Sequence, residues 1–218
     1  TAAENDLQMI DAREAKRADV LSLKARVLNE QGRTDEASAL VEHVVEEDPK
    51  DADALALLAE IRLLQDRGGE AQVLIDRILA MEPGWPRALY VRGRAYELQR
   101  RYEEALGDYQ AALRNDGNFA PALGGLWRVH EKLGNKPDAI AALEQLYFQN
   151  EITFDEKIQL ARYYAETWAN VERGEKIVAE ALKKDPKNPE YLALKKKLAK
   201  GAAPKKKQGI QIIRAKRR

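Results

Sequence analysis

Arginine recurs at 94, 128 and 162, each 34 residues from the last. A guanidinium offers its N–H donors in a planar fork that matches a carboxylate. Three of them at one spacing would form a ladder for an acidic segment or a C-terminal carboxylate, provided the fold stacks them. The same register upstream holds Arg26 and Glu60. A second basic set, Lys205, Lys206, Lys207, Arg214, Lys216, Arg217 and Arg218, could neutralise the phosphates of nucleic acid or of an anionic membrane. It contains no aromatic residue, so base stacking has no platform there. In a eukaryote the same run would also read as a nuclear-import signal, and a tail that solubilises the chain or folds back on an acidic body is a further reading.

Catalytic and metal chemistry has no counterpart to these arginines. The two histidines, His43 and His130, stand 87 residues apart, and cysteine is absent, which removes disulfides, thiolate ligands and thiol nucleophiles. Neither phosphate-cradling glycine motif occurs. Carboxylates are frequent but fall at the spacings of solvated helix faces. The expectation is a non-enzymatic chain without cofactor or small-molecule substrate.

Composition sharpens the charge pattern. The net charge of +1 conceals a division. Residues 183–218 hold 14 of the 37 Lys and Arg but only Asp185 and Glu190 of the 36 acidic residues, leaving 23 basic against 34 acidic residues in the rest. The body is acidic and the end basic. No run of 18 apolar residues spans a membrane, and the first 16 residues lack a secretory core. A cytoplasmic chain is expected, or a periplasmic one if a signal or anchor has been removed.

The elements that must position the arginines show the same period. Ala37, Ala71, Ala105 and Ala139 recur every 34 residues, as do Leu21, Leu55, Leu89 and Leu123. Four residues after the first three of these leucines stand Ala25, Ala59 and Gly93, and four after each alanine stand Val41, Ile75, Tyr109 and Leu143, with Pro49 and Pro83 closing units. In 86–119, Leu89, Gly93 and Tyr96 share one helical face, and after Arg100 and Arg101 a second face carries Ala105, Tyr109 and Ala112. Two such helices cannot bury their apolar faces alone, so each unit needs neighbours.

This order of residues resembles the tetratricopeptide (TPR) pattern, W-x2-L-G-x2-Y, then A-x3-F, then P. The resemblance implies an all-α, right-handed solenoid of helix-turn-helix units whose first helices line a concave, peptide-binding side. On that side Tyr90 and Leu98 would add apolar contacts to the three arginines. The chaperone-binding TPR subtype carries Lys and Asn where this chain has Ser22, Ala56 and Tyr90, so its carboxylate clamp is not recognisable here. An ordinary helix face would instead pair Arg94 with Glu97, Arg128 with Glu131 and Arg162 with Glu166, contacts worth tenths of a kcal/mol.

Taken in order, residues 1–17 read as the second helix of a preceding unit, with Ala3, Leu7 and Ile10 in register. On that reading the chain begins inside a repeat, as a fragment or trimmed form; a capping helix is the alternative. Five units follow at 18–51, 52–85, 86–119, 120–153 and 154–188, the last with one inserted residue. Residues 189–201 form a capping helix and 202–218 a basic tail. Thr34 is expected to cap a helix, and Gly32, Gly68 and Gly69 to make turns. Gly124 and Gly125 interrupt a helix, each costing about 1 kcal/mol relative to Ala. Either the Trp127 indole lies over the surface left bare by Gly124, one helical turn earlier, or the glycines open the groove floor to a partner's backbone.

The function expected is a protein-protein interaction scaffold within a multiprotein complex, holding a partner's peptide or helix, acidic where it meets the arginines. Two alternatives remain: an adaptor whose tail docks to nucleic acid or anionic membrane, and a regulatory segment of a larger enzyme.

Overall fold

A computed structural model describes residues 18–202; residues 1–17, read above as a half unit, and the basic tail from 203 onward lie outside the described residues. Eleven helices follow one another, and among the described residues there is no strand. They are α1 (Ala18–Glu30), α2 (Thr34–Glu47), α3 (Ala52–Leu64), α4 (Gly68–Met81), α5 (Pro86–Leu98), α6 (Tyr102–Asn115), α7 (Ala120–Lys132), α8 (Lys136–Gln149), α9 (Phe154–Thr167), α10 (Val171–Lys184) and α11 (Pro189–Ala202). The fold is an all-α helical-repeat solenoid. Among the described residues two compact bodies divide it, one ending at Val129 and the other beginning at His130.

The turn inside each unit is made by one left-handed residue. Gly32 (φ 77°), Asp66 (60°), Arg100 (61°), Gly134 (76°) and Trp168 (55°) stand 34 residues apart. After the first four, the next N–H reaches back to close the helix end: Arg33 to Leu28, Arg67 to Arg62, Arg101 to Tyr96 and Asn135 to His130, all at 2.8–2.9 Å. Gly68 and Gly69, expected as turn glycines, instead open α4, and Asp66 takes the positive φ. The geometry is set by the helix-closing bond, so it persists where the side chain is not glycine. Thr34 also departs from expectation: it is the first residue of α2, and the Arg33 guanidinium bonds Glu36 at 2.7 and 2.6 Å instead. Side-chain caps occur where Asp51 accepts from the Ala54 N–H (2.9 Å) and where Thr153 and Glu156 form a reciprocal capping box.

In the first body each first helix packs on its own second helix and on the first helices of neighbouring units, so α1, α3 and α5 lie side by side. The repeating alanines are fully buried at Ala37, Ala71 and Ala105. Four residues on, Val41, Ile75 and Tyr109 are also fully buried. Val41 shares a core cluster with Leu57, and Ile75 with Val91, each 16 residues later. At the third step the pair is Tyr109 and Gly125. A Cβ on Gly125 would stand 2.5 Å from Tyr109 Cε2, and one on Gly93 would stand 2.6 Å from Cε1. The tyrosine ring therefore lies between two glycines of the first body. A larger knob is matched by a smaller hole, which holds the packed volume roughly constant.

Gly125 is thus closed by Tyr109, and Gly124 is buried as well. At Gly125, therefore, the Tyr109 ring fills the space that the groove-floor reading left open to a partner's backbone.

Buried polar struts tie the helices together. Arg62, 5% exposed, bonds Ser38, Glu42, Gln65 and Glu70 and so links α2, α3 and α4. Arg92 forks onto Asp108 at 2.8 and 2.6 Å between α5 and α6. In the second body α9 packs on α8, α10 and α11. There Tyr164 donates to Glu144 at 2.5 Å, Arg173 donates to both, and Leu198 of α11 covers Gly174.

Candidate functional site

Helix α5 carries Tyr90, Arg94 and Leu98 at successive turns, because residues four apart lie one above the other. Tyr90 lines a cleft of about 330 Å³ with Arg26 of α1, Glu60 of α3, Arg87 of α5, and Phe119 and Pro121 at the start of α7. Its ring meets Phe119 edge to face at 6.0 Å. Arg94 lines a smaller recess of about 90 Å³ with Asn29, Glu60, Leu63 and Leu64. Glu60 belongs to both, so the two are adjacent. Leu98 is 59% exposed and Leu64, one repeat earlier, 54%.

The charges on this face are unequally matched. Arg87 holds Asp53 at 3.0 Å and Glu60 at 3.2 Å. Arg128 forks onto Glu97 at 3.1 and 3.2 Å, and Tyr109 donates its hydroxyl to the same carboxylate at 2.7 Å. Arg94 pairs with no carboxylate among the described residues; its Nη1 donates to the Tyr90 hydroxyl at 3.3 Å. Two guanidiniums thus act on the single carboxylate of Glu97. Burial pushes the Glu97 carboxyl up, but hydrogen bonds from Arg128 and Tyr109 and the charges of Arg128 and Arg94 outweigh it and hold it below the usual carboxylate range. Burial, with Glu97 accepting its proton, pushes the Tyr109 phenol far above its ordinary value.

The second body treats its arginine differently. Arg162 bonds Glu190 at 2.7 and 2.6 Å and Gln159 at 2.7 Å. The local pairings expected of an ordinary helix face do not form. Arg128 takes Glu97 of the preceding unit rather than Glu131, and Glu131 accepts from Gln159 and Tyr163. Glu166 pairs with Lys136, not Arg162. Arg128 and Arg162 each hold a carboxylate on a neighbouring helix, and Arg162 also bonds Gln159 of its own.

Sequence reasoning placed Arg26 and Glu60 in the arginine register but missed Arg87, Phe119 and Pro121 as lining residues. Phe119 lies in the connection before α7 and Pro121 in the first turn of α7, where helical periodicity gives no signal. The basic tail set lies outside the described residues. Among the described residues no cluster of three His, Asp or Glu could hold a metal, and no helix is long and apolar enough to cross a membrane.

Comparison with known proteins agrees with the repeat geometry. Tetratricopeptide repeat models match residues 28–95 and residues 86–119. Residues 28–119 are tetratricopeptide repeats. A comparison with curated proteins finds no match. Among solved structures this TPR chain is similar to TTC0263, a thermophilic TPR protein of Thermus thermophilus, at 25% identity and a TM-score of 0.63, over 85% of this chain and 99% of that one. It is also similar in fold to pilF of Pseudomonas aeruginosa (21% identity, TM-score 0.67, 87% and 86% covered). A third is YrrB, described as a TPR protein with an unusual peptide-binding site (17%, TM-score 0.50, 90% and 98%). TPR proteins bind other proteins or peptides, and their fold is typically a non-catalytic scaffold.

Proposed function

We propose that this TPR protein is a non-catalytic scaffold within a multiprotein complex, and that it holds a segment of a partner protein across α1, α3 and α5 of its first body. The observation that carries the reading is Arg94, a half-buried guanidinium with no carboxylate partner among the described residues, beside a cleft of about 330 Å³. A charge partly withdrawn from water and left unmatched is costly unless a ligand completes it. A partner's carboxylate on Arg94 supplies that match, and Tyr90 and exposed Leu98 supply apolar contact. Arg128 and Arg162 already hold carboxylates of this chain, so they act as struts and Arg94 as the anchor. The peptide-binding site named for YrrB is in keeping with this use of the fold.

The basic tail supports a second reading, an adaptor that also docks to nucleic acid or anionic membrane, because residues 203–218 carry seven basic side chains and no acidic one.

Affinity capture from a lysate of the source organism separates the two. The intact chain, a chain ending at Lys200, Arg94→Met and Arg162→Met are compared, with circular dichroism to confirm that each is helical. The groove reading expects one protein retained by the intact, shortened and Arg162→Met chains and lost from Arg94→Met. Capture that vanishes with the tail and responds to nuclease or salt supports the adaptor and removes the groove reading.

A further inference from the structure

We infer that the partner segment is an extended peptide carrying an acidic and an aromatic side chain two residues apart, the carboxylate on Arg94 and the ring in the Tyr90–Phe119 cleft. The inference rests on the groove reading above and gives the partner its chemistry.

The spacing comes from α5. Tyr90 and Arg94 are one turn apart, about 6 Å along the helix axis. They are also tied together, because Arg94 donates to the Tyr90 hydroxyl at 3.3 Å. In an extended peptide, side chains that share a face are two residues apart, at about 6.6 Å. Two anchors on one turn of α5 therefore meet residues i and i+2 of a strand laid along it.

The chemistry of each anchor comes from its surroundings. At Arg94 the missing group is an anion, since Glu97 is forked by Arg128 and Glu60, which lines the Arg94 recess, is already held by Arg87. At Tyr90 the cleft has two aromatic residues and a proline, Tyr90, Phe119 and Pro121, with Arg26 and the paired Arg87 and Glu60 completing its lining. An apolar cavity of about 150 Å³ accommodates benzene, so about 330 Å³ has room for an aromatic side chain and the backbone that carries it. Arg26 bears no ion pair among the described residues, and it can lie over the face of such a ring.

The test uses the full chain, immobilised, and a library of nonapeptides of Gly and Ser in which one Glu and one Phe are fixed at separations of one to four, in both orders. Retention is expected to be at least tenfold greater at a separation of two than at one or three, in one or both orders. Arg94→Met should abolish the preference for Glu while keeping that for Phe; Tyr90→Ala should do the reverse; Arg94→Lys and Tyr90→Phe should each keep most of both. Circular dichroism confirms helicity throughout. Retention that ignores separation, or a preference for Glu that survives Arg94→Met, overturns the motif and leaves the groove reading standing if lysate capture still depends on Arg94. A preference for a separation of four points to a helical partner and overturns the extended peptide. If no library peptide is retained, the motif falls, and if Arg94-dependent capture also fails, the groove reading falls with it.

Discussion

Arg94 in the first body and Arg162 in the second occupy the same place in their repeats, yet one pairs with no carboxylate among the described residues and the other is held at 2.7 and 2.6 Å by Glu190. The repeat places an arginine; the next element decides what it does. Where α11 brings Glu190 to Arg162, the guanidinium becomes a strut. Where the neighbouring carboxylate is already forked by Arg128, Arg94 is left with the Tyr90 hydroxyl, and on the proposed reading it is the anchor for a partner. Periodicity in a repeat protein therefore marks equivalent positions, and equivalence of position is not equivalence of role.

The comparison can be pressed hardest at the packing that supports the first-body site. Tyr109→Ala removes a fully buried ring from between Gly93 and Gly125 and should cost about 4 kcal/mol of first-body stability, in line with large aromatic truncations. Denaturant unfolding followed by circular dichroism measures it. Gly125→Val pushes a side chain into the same ring and should cost about 3 kcal/mol, being an overpacking change with little room to relax. If the knob-and-hole account is right, adding Tyr109→Leu to Gly125→Val recovers a large part of that loss; if it recovers nothing, the account is wrong.

Next in size is Arg128→Met, which leaves the half-buried Glu97 with the Tyr109 hydrogen bond and the charge of Arg94. It should cost about 1–3 kcal/mol near neutral pH. The sign of its pH dependence follows from the depressed carboxyl. Glu97 contributes stability above its unfolded value of about 4.3, and that contribution is lost as pH falls through the lower folded value. Arg128→Met should therefore move the acid-unfolding midpoint of the first body upward, as read by circular dichroism against pH. The smallest effect is expected at the contrasting arginine. Arg162→Met breaks an exposed pair, should cost less than about 1 kcal/mol, and should leave peptide retention unchanged. A loss of retention there would erase the distinction between anchor and strut.

The chain's own residues made much of this legible in advance. A 34-residue period in small and apolar side chains was enough to give paired helices and the repeat family, because each helix has to hide one stripe and the stripe recurs. The place of Tyr109 could also have been read: Val41 with Leu57 and Ile75 with Val91 become Tyr109 with Gly125 at the same 16-residue offset, a large residue traded against a small one. Thr34 and the glycine pair at 68 and 69 misled, since the left-handed turn is fixed by backbone hydrogen bonding at Asp66 and not by the presence of glycine nearby.

Sequence alone determined which residues repeat, which helices form and which stripes are buried, because these depend on spacing within a few turns of chain. It also put Arg94, Arg128 and Arg162 in one register. Only the tertiary structure decided that Arg128 meets Glu97 from 31 residues away, that Arg162 meets Glu190 from 28, and that Arg94 meets a phenol instead of a carboxylate. Ion pairing acts over a few ångströms in space, and the partner that wins is the one the packing of neighbouring helices brings within reach.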